Sequence, residues 1–178
     1  MNLIITETTK SDFADIYTIH ANAFGNEKEA ILTEALLQDT SASPLLSLMA
    51  SVDNNPVGHI LFTSAKIDTH ACKVMLLAPL AVMPEAQNSG IGGELITTGL
   101  RILADRGVDM VFVLGHPTYY PKYGFIPAGP HGLKAPYPIP EEYSDAWMVQ
   151  TLHEYQLGED RGTVIVADKL MQPEHWRE

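Results

Sequence analysis

The segment Leu80-Ala81-Val82-Met83-Pro84-Glu85-Ala86-Gln87-Asn88-Ser89-Gly90-Ile91-Gly92-Gly93 carries an apolar run into a turn of small residues, and the turn opens directly into an amphipathic stretch. Read as strand, turn and helix, it leaves the first amide N–H groups of the helix without intrahelical acceptors. Gly90, Gly92 and Gly93 lack a Cβ, so a bulky anion can approach the backbone. The helix dipole adds about half a positive charge at that end. A diphosphate fits such a seat. The other reading is a turn whose glycines serve only tight helix packing, although glycine is costly in a first turn.

Two better-known phosphate loops do not match. No Lys-Ser or Lys-Thr follows the glycines, so the cation and magnesium ligand of a nucleoside triphosphate loop are missing. A dinucleotide fingerprint needs a third glycine where Leu95 stands, and it belongs near the first strand of a doubly wound sheet.

Working outward, Val74 to Val82 and Met110 to Leu114 are near-continuous apolar runs without polar alternation, which predicts two central strands. The helix between them, from about Gly90 to Arg106, carries Ile91, Leu95, Ile96, Leu100 and Leu103 on one face. Strand, helix, strand predicts a parallel crossover. Pro79 cannot donate a ladder hydrogen bond, so the first of these strands is expected to bulge or go unpaired near it. Upstream, Leu3 to Thr8 reads as a strand. A helix capped by Ser11 or Asp12 and ending at Phe24-Gly25 follows, then a second from about Glu27. In that second helix Ala30, Ile31, Ala35, Leu36 and Leu37 form the apolar stripe, and Glu27, Lys28, Glu29, Glu34 and Gln38 are expected to face away from it. Leu45 to Val52 and Val57 to Ile67 predict a hairpin turning at Asp53-Asn54-Asn55-Pro56. Pro117 to Lys122 is expected to be a short helix or turn. Tyr123 to Ile126, Ala146 to Tyr155 and Gly162 to Leu170 are expected strands, and the proline-rich run Pro127 to Pro140 a structured loop.

Composition narrows the class. The chain has 178 residues, 46% of them hydrophobic, which suits one folded unit over residues 1–178. Eleven Lys and Arg against twenty-two Asp and Glu give a formal net charge of −11, a field that repels nucleic acid. The longest apolar stretch, Val74 to Met83, is about half the ~20 residues a membrane span needs. No basic region followed by a long apolar run opens the chain, and Cys72 is the only cysteine, so a cytoplasmic location without an internal disulfide is expected. Seven histidines occur without H-E-x-x-H, H-x-H or paired cysteines, so no metal site is expected.

The residues together resemble a known family. Gln87-x-x-Gly90-x-Gly92, after a strand ending Leu80-Ala81-Val82-x-Pro84, is similar to the acetyl-CoA motif of the GNAT superfamily of N-acetyltransferases. Asn55-Pro56-Val57-Gly58-His59-Ile60 resembles that family's third strand, and Tyr120-x-x-x-Gly124-Phe125 its Y-x-x-x-G-F element. The run Leu114 to Phe125, with Ala23-Phe24-Gly25 upstream, is similar to the YhbS-like bacterial branch. The resemblance implies an α+β fold: a mixed sheet flanked by helices, whose central parallel strands splay to admit the pantetheine arm of acetyl-CoA. It places core motifs within residues 3–155 and a C-terminal strand and tail over 156–178. It implies coenzyme contacts from Leu80, Ala81 and Val82 and from the loop Gln87, Asn88, Ser89, Gly90, Ile91, Gly92 and Gly93. The reaction it implies is direct acetyl transfer to an amine acceptor, and relatives often form homodimers.

Moving an acetyl group from a thioester to an amine requires a neutral amine and stabilisation of the departing thiolate. Tyr120 occupies the family's position for the acid. No carboxylate occurs from Leu76 to Val82, where many relatives carry one, so the base is open between His116, Glu85 and a water relay. Relatives often place Arg or Lys in the pyrophosphate loop, but here Glu85 and Glu94 flank a loop without cations, so weak salt dependence is expected. A coenzyme-binding sensor without efficient turnover is the competing reading, which the missing carboxylate permits.

Overall fold

The computed structural model describes residues 2–158 and 161–177; of the expected span, residues 1, 159, 160 and 178 lie outside the described residues. The chain runs β1 (Leu3–Glu7), α1 (Phe13–Phe24), α2 (Lys28–Leu37), β2 (Leu46–Val52), β3 (Asn55–Ile67), β4 (His70–Val82), α3 (Ile91–Asp105) and β5 (Met110–Leu114). It continues through β6 (Ile126–Pro127), β7 (Leu133–Lys134), β8 (Trp147–Thr151) and β9 (Gly162–Ile165). The strands lie in the order β1-β2-β3-β4-β5-β8-β6, with β9 pairing to both β3 and β7. Pairing is antiparallel along this order except at its centre, where β4 and β5 run parallel across the α3 crossover. This is the mixed sheet implied by the resemblance.

The missing alternation in β4 and β5 has its cause in the two faces. Met75, Leu77, Val111 and Val113 pack on the α3 side with Leu95, Ile96 and Leu100. Val74, Leu76, Met110 and Phe112 pack on the other side with Leu36 of α2, Trp147 and Trp176. Gly99 of α3 sits against the ring of Phe62, and a Cβ there would collide with it.

Helix α1 ends where Gly25 takes φ 71°, a left-handed cap that glycine adopts without penalty. It covers the α2 side of the sheet through Ile16 and Ile19, beside Met49 and Ala81. His20 and His59 are fully buried at this contact and hydrogen-bonded, His20 Nε2 to His59 Nδ1, at 2.8 Å. His59 Nε2 lies 2.8 Å from Ser47 Oγ, which accepts from Thr8 Oγ1 at 2.6 Å. Burial drives both imidazoles toward the neutral form: His20 falls to about 4, and His59 lies well below its ordinary value.

Several elements differ from expectation. The β2–β3 turn is two residues, Asp53 and Asn54 at φ 49° and 69°, so Asn55 and Pro56 already belong to β3. Two left-handed residues match the strand twist better than a wider loop. Tyr123 closes a 3-10 turn, and Gly124 at φ 100° reverses the chain, which shortens the next strand to Ile126–Pro127. Strand β8 stops at Thr151, opposite Met110, the first residue of β5, and Leu152 N–H makes one further bond, to Asp109 O at 2.9 Å. Strand β9 stops at Ile165, having paired with only Lys66 and Ile67 of β3, and a 3-10 turn holds Asp168–Leu170. The proline-rich run is not wholly irregular: Leu133 and Lys134, between Pro130 and Pro136, keep their N–H groups and pair parallel with Gly162 and Thr163.

Candidate active site

Strands β4 and β5 pair from Val74↔Met110 to Leu77↔Val113 and no further, although β4 continues to Val82. The separation begins at Ala78, just before Pro79. Against β3 the register passes from Phe62↔Leu77 to Ile60↔Leu80, so β4 carries one residue more than its partner there, the expected bulge. Beyond it, among the described residues, no strand pairs with the β5-facing edge of β4.

Two cavities open along this edge. One, of about 480 Å³, lies in the splay and is lined by Ala78, Pro79 and Leu80 of β4, Val113 and Leu114 of β5, and Tyr120. The other, of about 520 Å³, lies at the start of α3 and is lined by Gln87, Asn88, Gly90, Ile91, Gly92 and Gly93. Leu80 and Tyr119 line both, so the cavities adjoin.

The loop before α3 is shaped by its own backbone. Asn88 and Gly90 take φ 61° and 86°, and Gly90 caps the helix without offering a side chain to its free N–H groups. Gln87 Nε2 donates to Val82 O at 3.0 Å, which ties the loop to the end of β4 and occupies that carbonyl. Ser89 Oγ donates to Ala86 O. Ala81 departs from the expected coenzyme-facing set: it is buried on the α1 side and lines neither cavity.

Tyr119 and Tyr123 stand over the glycines, and a Cβ at Gly93 would strike the Tyr123 hydroxyl. Desolvation, followed by hydrogen bonding to Tyr123, pushes the Tyr119 hydroxyl well up, so it stays protonated as a donor. Lys122 lines the same cavity, its Nζ 5.4 Å from the Tyr119 ring centroid. The cation absent from the loop thus arrives from the turn after β5, which removes the basis for expecting weak salt dependence.

Tyr120 is 9% exposed, with its ring edge-on to Tyr119 and Phe125 at 5.1 and 5.6 Å. Burial raises its hydroxyl to about 12, and that hydroxyl has no hydrogen-bond partner among the described residues. Gly115 makes room for the ring. His116 also lines the splay cavity but is exposed, with Nδ1 3.4 Å from Thr118 Oγ1. Glu85 is exposed in the turn after β4 and lines neither cavity, so the structure does not bring it to Tyr120.

The sequence reading missed the far wall of the splay cavity. Glu29, expected to face away from the apolar stripe, is half-buried there, and Trp176 of the C-terminal turn lines the same cavity. No periodicity marks either, because the wall forms only when α2 and the C-terminal turn meet. Among the described residues, no cluster of three or more His, Cys, Asp or Glu is placed to hold a metal ion. No described helix is long and apolar enough to cross a membrane.

The model of the acetyltransferase (GNAT) family matches residues 13–125, from α1 through the Tyr120 turn. The chain belongs to the GNAT acetyltransferase family. This acetyltransferase is 53% identical, over 148 residues, to the uncharacterized N-acetyltransferase YjhQ of Escherichia coli K12, covering 82% of each chain. It is 29% identical over 128 residues to the uncharacterized N-acetyltransferase YhbS of the same strain, covering 71% of this chain and 75% of YhbS. The crystal structure of Escherichia coli YhbS in complex with CoA shares the fold, with a TM-score of 0.87, 24% identity and coverage of 97% and 93%. A GNAT family acetyltransferase from Brucella melitensis in complex with acetyl-CoA matches with a TM-score of 0.75, 26% identity and coverage of 95% and 98%. Membership makes the protein an acyltransferase of the N-acetyltransferase type.

Proposed function

We propose that the enzyme passes the acetyl group of acetyl-CoA directly to an amine while both are bound. The observation that carries this reading is the pair of adjoining cavities sharing Leu80 and Tyr119. One is walled by free helix N–H groups, Lys122 and tyrosine hydroxyls, and suits a diphosphate. The other follows an unpaired strand edge to Tyr120 and suits an amide-bearing arm ending in a thioester. Complexes of the YhbS and Brucella relatives with CoA and acetyl-CoA support the assignment.

In the chemical step the amine nitrogen attacks the thioester carbonyl carbon, the C–S bond breaks, and the sulfur leaves with the electron pair. Tyr120 stabilises that leaving sulfur. At about 12 its hydroxyl lies above an ordinary thiol near 8.5, so full proton transfer to the thiolate is uphill. Its contribution is a hydrogen bond to the charge as it develops, strengthened by the water-poor surroundings. The thiolate then takes a proton from solvent, and the amine releases one. Cys72 stands near the opposite end of β4 and lines neither cavity, in keeping with transfer that passes through no acyl-cysteine.

Two measurements test the proposal. Calorimetry should show CoA binding, and free-thiol release from acetyl-CoA should depend on an added amine. CoA binding without release for any amine would favour the sensor reading, and no CoA binding would overturn both.

A further inference from the structure

The splay cavity extends past the thioester position into a space whose chemistry differs from the rest of the site. Leu32 of α2, Leu76 and Ala78 of β4, Leu114 of β5, Leu170 and Trp176 give it an apolar lining. The indole N–H of Trp176 donates to Leu170 O at 2.9 Å, and the ring, 2% exposed, closes the inner end of the cavity. Edge-on contact with Trp147, at 5.5 Å between centroids, fixes that ring further. Of the Lys, Arg, Asp and Glu side chains described, three reach the cavity. Lys28 and Glu174 are exposed, whereas Glu29 is half-buried, and its carboxylate has no hydrogen-bond or ion-pair partner among the described residues. A partly desolvated, unpaired carboxylate in an apolar wall is costly unless a cation meets it. The cavity, about 480 Å³ shared with the thioester end, holds a compact molecule.

Resting on the acetyltransferase reading above, we propose that the acceptor is a small primary amine on an apolar body without a carboxylate of its own, and that Glu29 binds its ammonium group, which gives up one proton to water before the neutral nitrogen attacks. The body lies against Phe24, Leu32 and Leu114, the more open apolar residues of the lining. A substrate carboxylate would find no half-buried Lys or Arg among the described residues of this wall, and a polyamine's further charges would meet only the exposed Glu174.

The probe is 2-phenylethylamine, with phenylalanine, the same body bearing a carboxylate, and spermidine as comparators. CoA is titrated first, so a failure of coenzyme binding overturns the acetyltransferase reading separately. Calorimetry of the amine onto CoA-saturated protein is followed by thiol release at saturating acetyl-CoA. We expect kcat/KM for 2-phenylethylamine at least about tenfold above either comparator. Glu29→Gln should raise the dissociation constant and KM for the amine about tenfold or more, with CoA affinity unchanged and kcat affected less. Preference for phenylalanine or spermidine, no amine binding to the CoA-saturated protein, or an unchanged KM in Glu29→Gln would overturn the inference. The wild-type comparison stands even where the variant fails to fold.

Discussion

A Cβ placed on Gly92 would lie 2.6 Å from the hydroxyl oxygen of Tyr119. The glycine of the helix turn and the tyrosine of the turn after β5 are therefore fitted against each other in the wall of the cavity at the start of α3. Gly92→Ala forces Tyr119 to move. CoA affinity is expected to fall about tenfold while the melting temperature changes by only a few degrees. Calorimetric titration beside thermal denaturation checks this, and undiminished affinity would show that the fit is unrelated to coenzyme binding.

Tyr120→Phe removes the unpaired hydroxyl and keeps the ring between Tyr119 and Phe125. The maximal rate should drop about tenfold to a thousandfold with little change in CoA affinity. Because burial raises this hydroxyl to about 12, its loss should not alter the pH-rate profile below about pH 10. A profile that does change there would assign a titrating role to another group.

Lys122→Ala tests whether the cation borrowed from outside the loop matters. Its exposed ammonium is screened by salt, so its removal should lower CoA affinity about threefold to tenfold at low ionic strength and flatten the salt dependence. Identical salt slopes for wild type and variant would return the binding to backbone amides alone.

The buried His20–His59 pair sets an acid limit on stability. Both are depressed from the ordinary 6.5, His20 to about 4, so the unfolded chain binds their protons more readily than the folded one. The stability they confer is present above about pH 6.5 and is lost as pH falls through the folded values. Urea melts at stepwise lower pH should show a steep decline toward pH 4. Both rings must be replaced for the decline to become shallow; His20→Gln alone leaves His59 to titrate.

Much of this was legible in the primary structure because local rules sufficed. The uninterrupted apolar runs at Val74 to Val82 and Met110 to Leu114 announced strands covered on both faces, and Pro79 announced the bulge between Leu77 and Leu80. Gly25 and Gly90 marked helix ends, and both take left-handed φ. Strand ends were less legible. Trp147–Thr151 and Gly162–Ile165 stop where their pairing with β5 and β3 ends, which neither segment encodes on its own.

The same division holds for the site. The order strand, small-residue turn, helix by itself determined where free N–H groups would gather, because helix ends and glycine freedom are properties of neighbouring residues. Only the folding of distant segments decided what else faces them. Tyr119 comes over Gly92 from the turn after β5 and Lys122 lines the same cavity, Glu85 is left outside, Ala81 turns under α1, and Glu29 and Trp176 line one cavity although 147 positions separate them. Charge and burial at such points depend on distances through space, and periodicity along the chain carries no information about those.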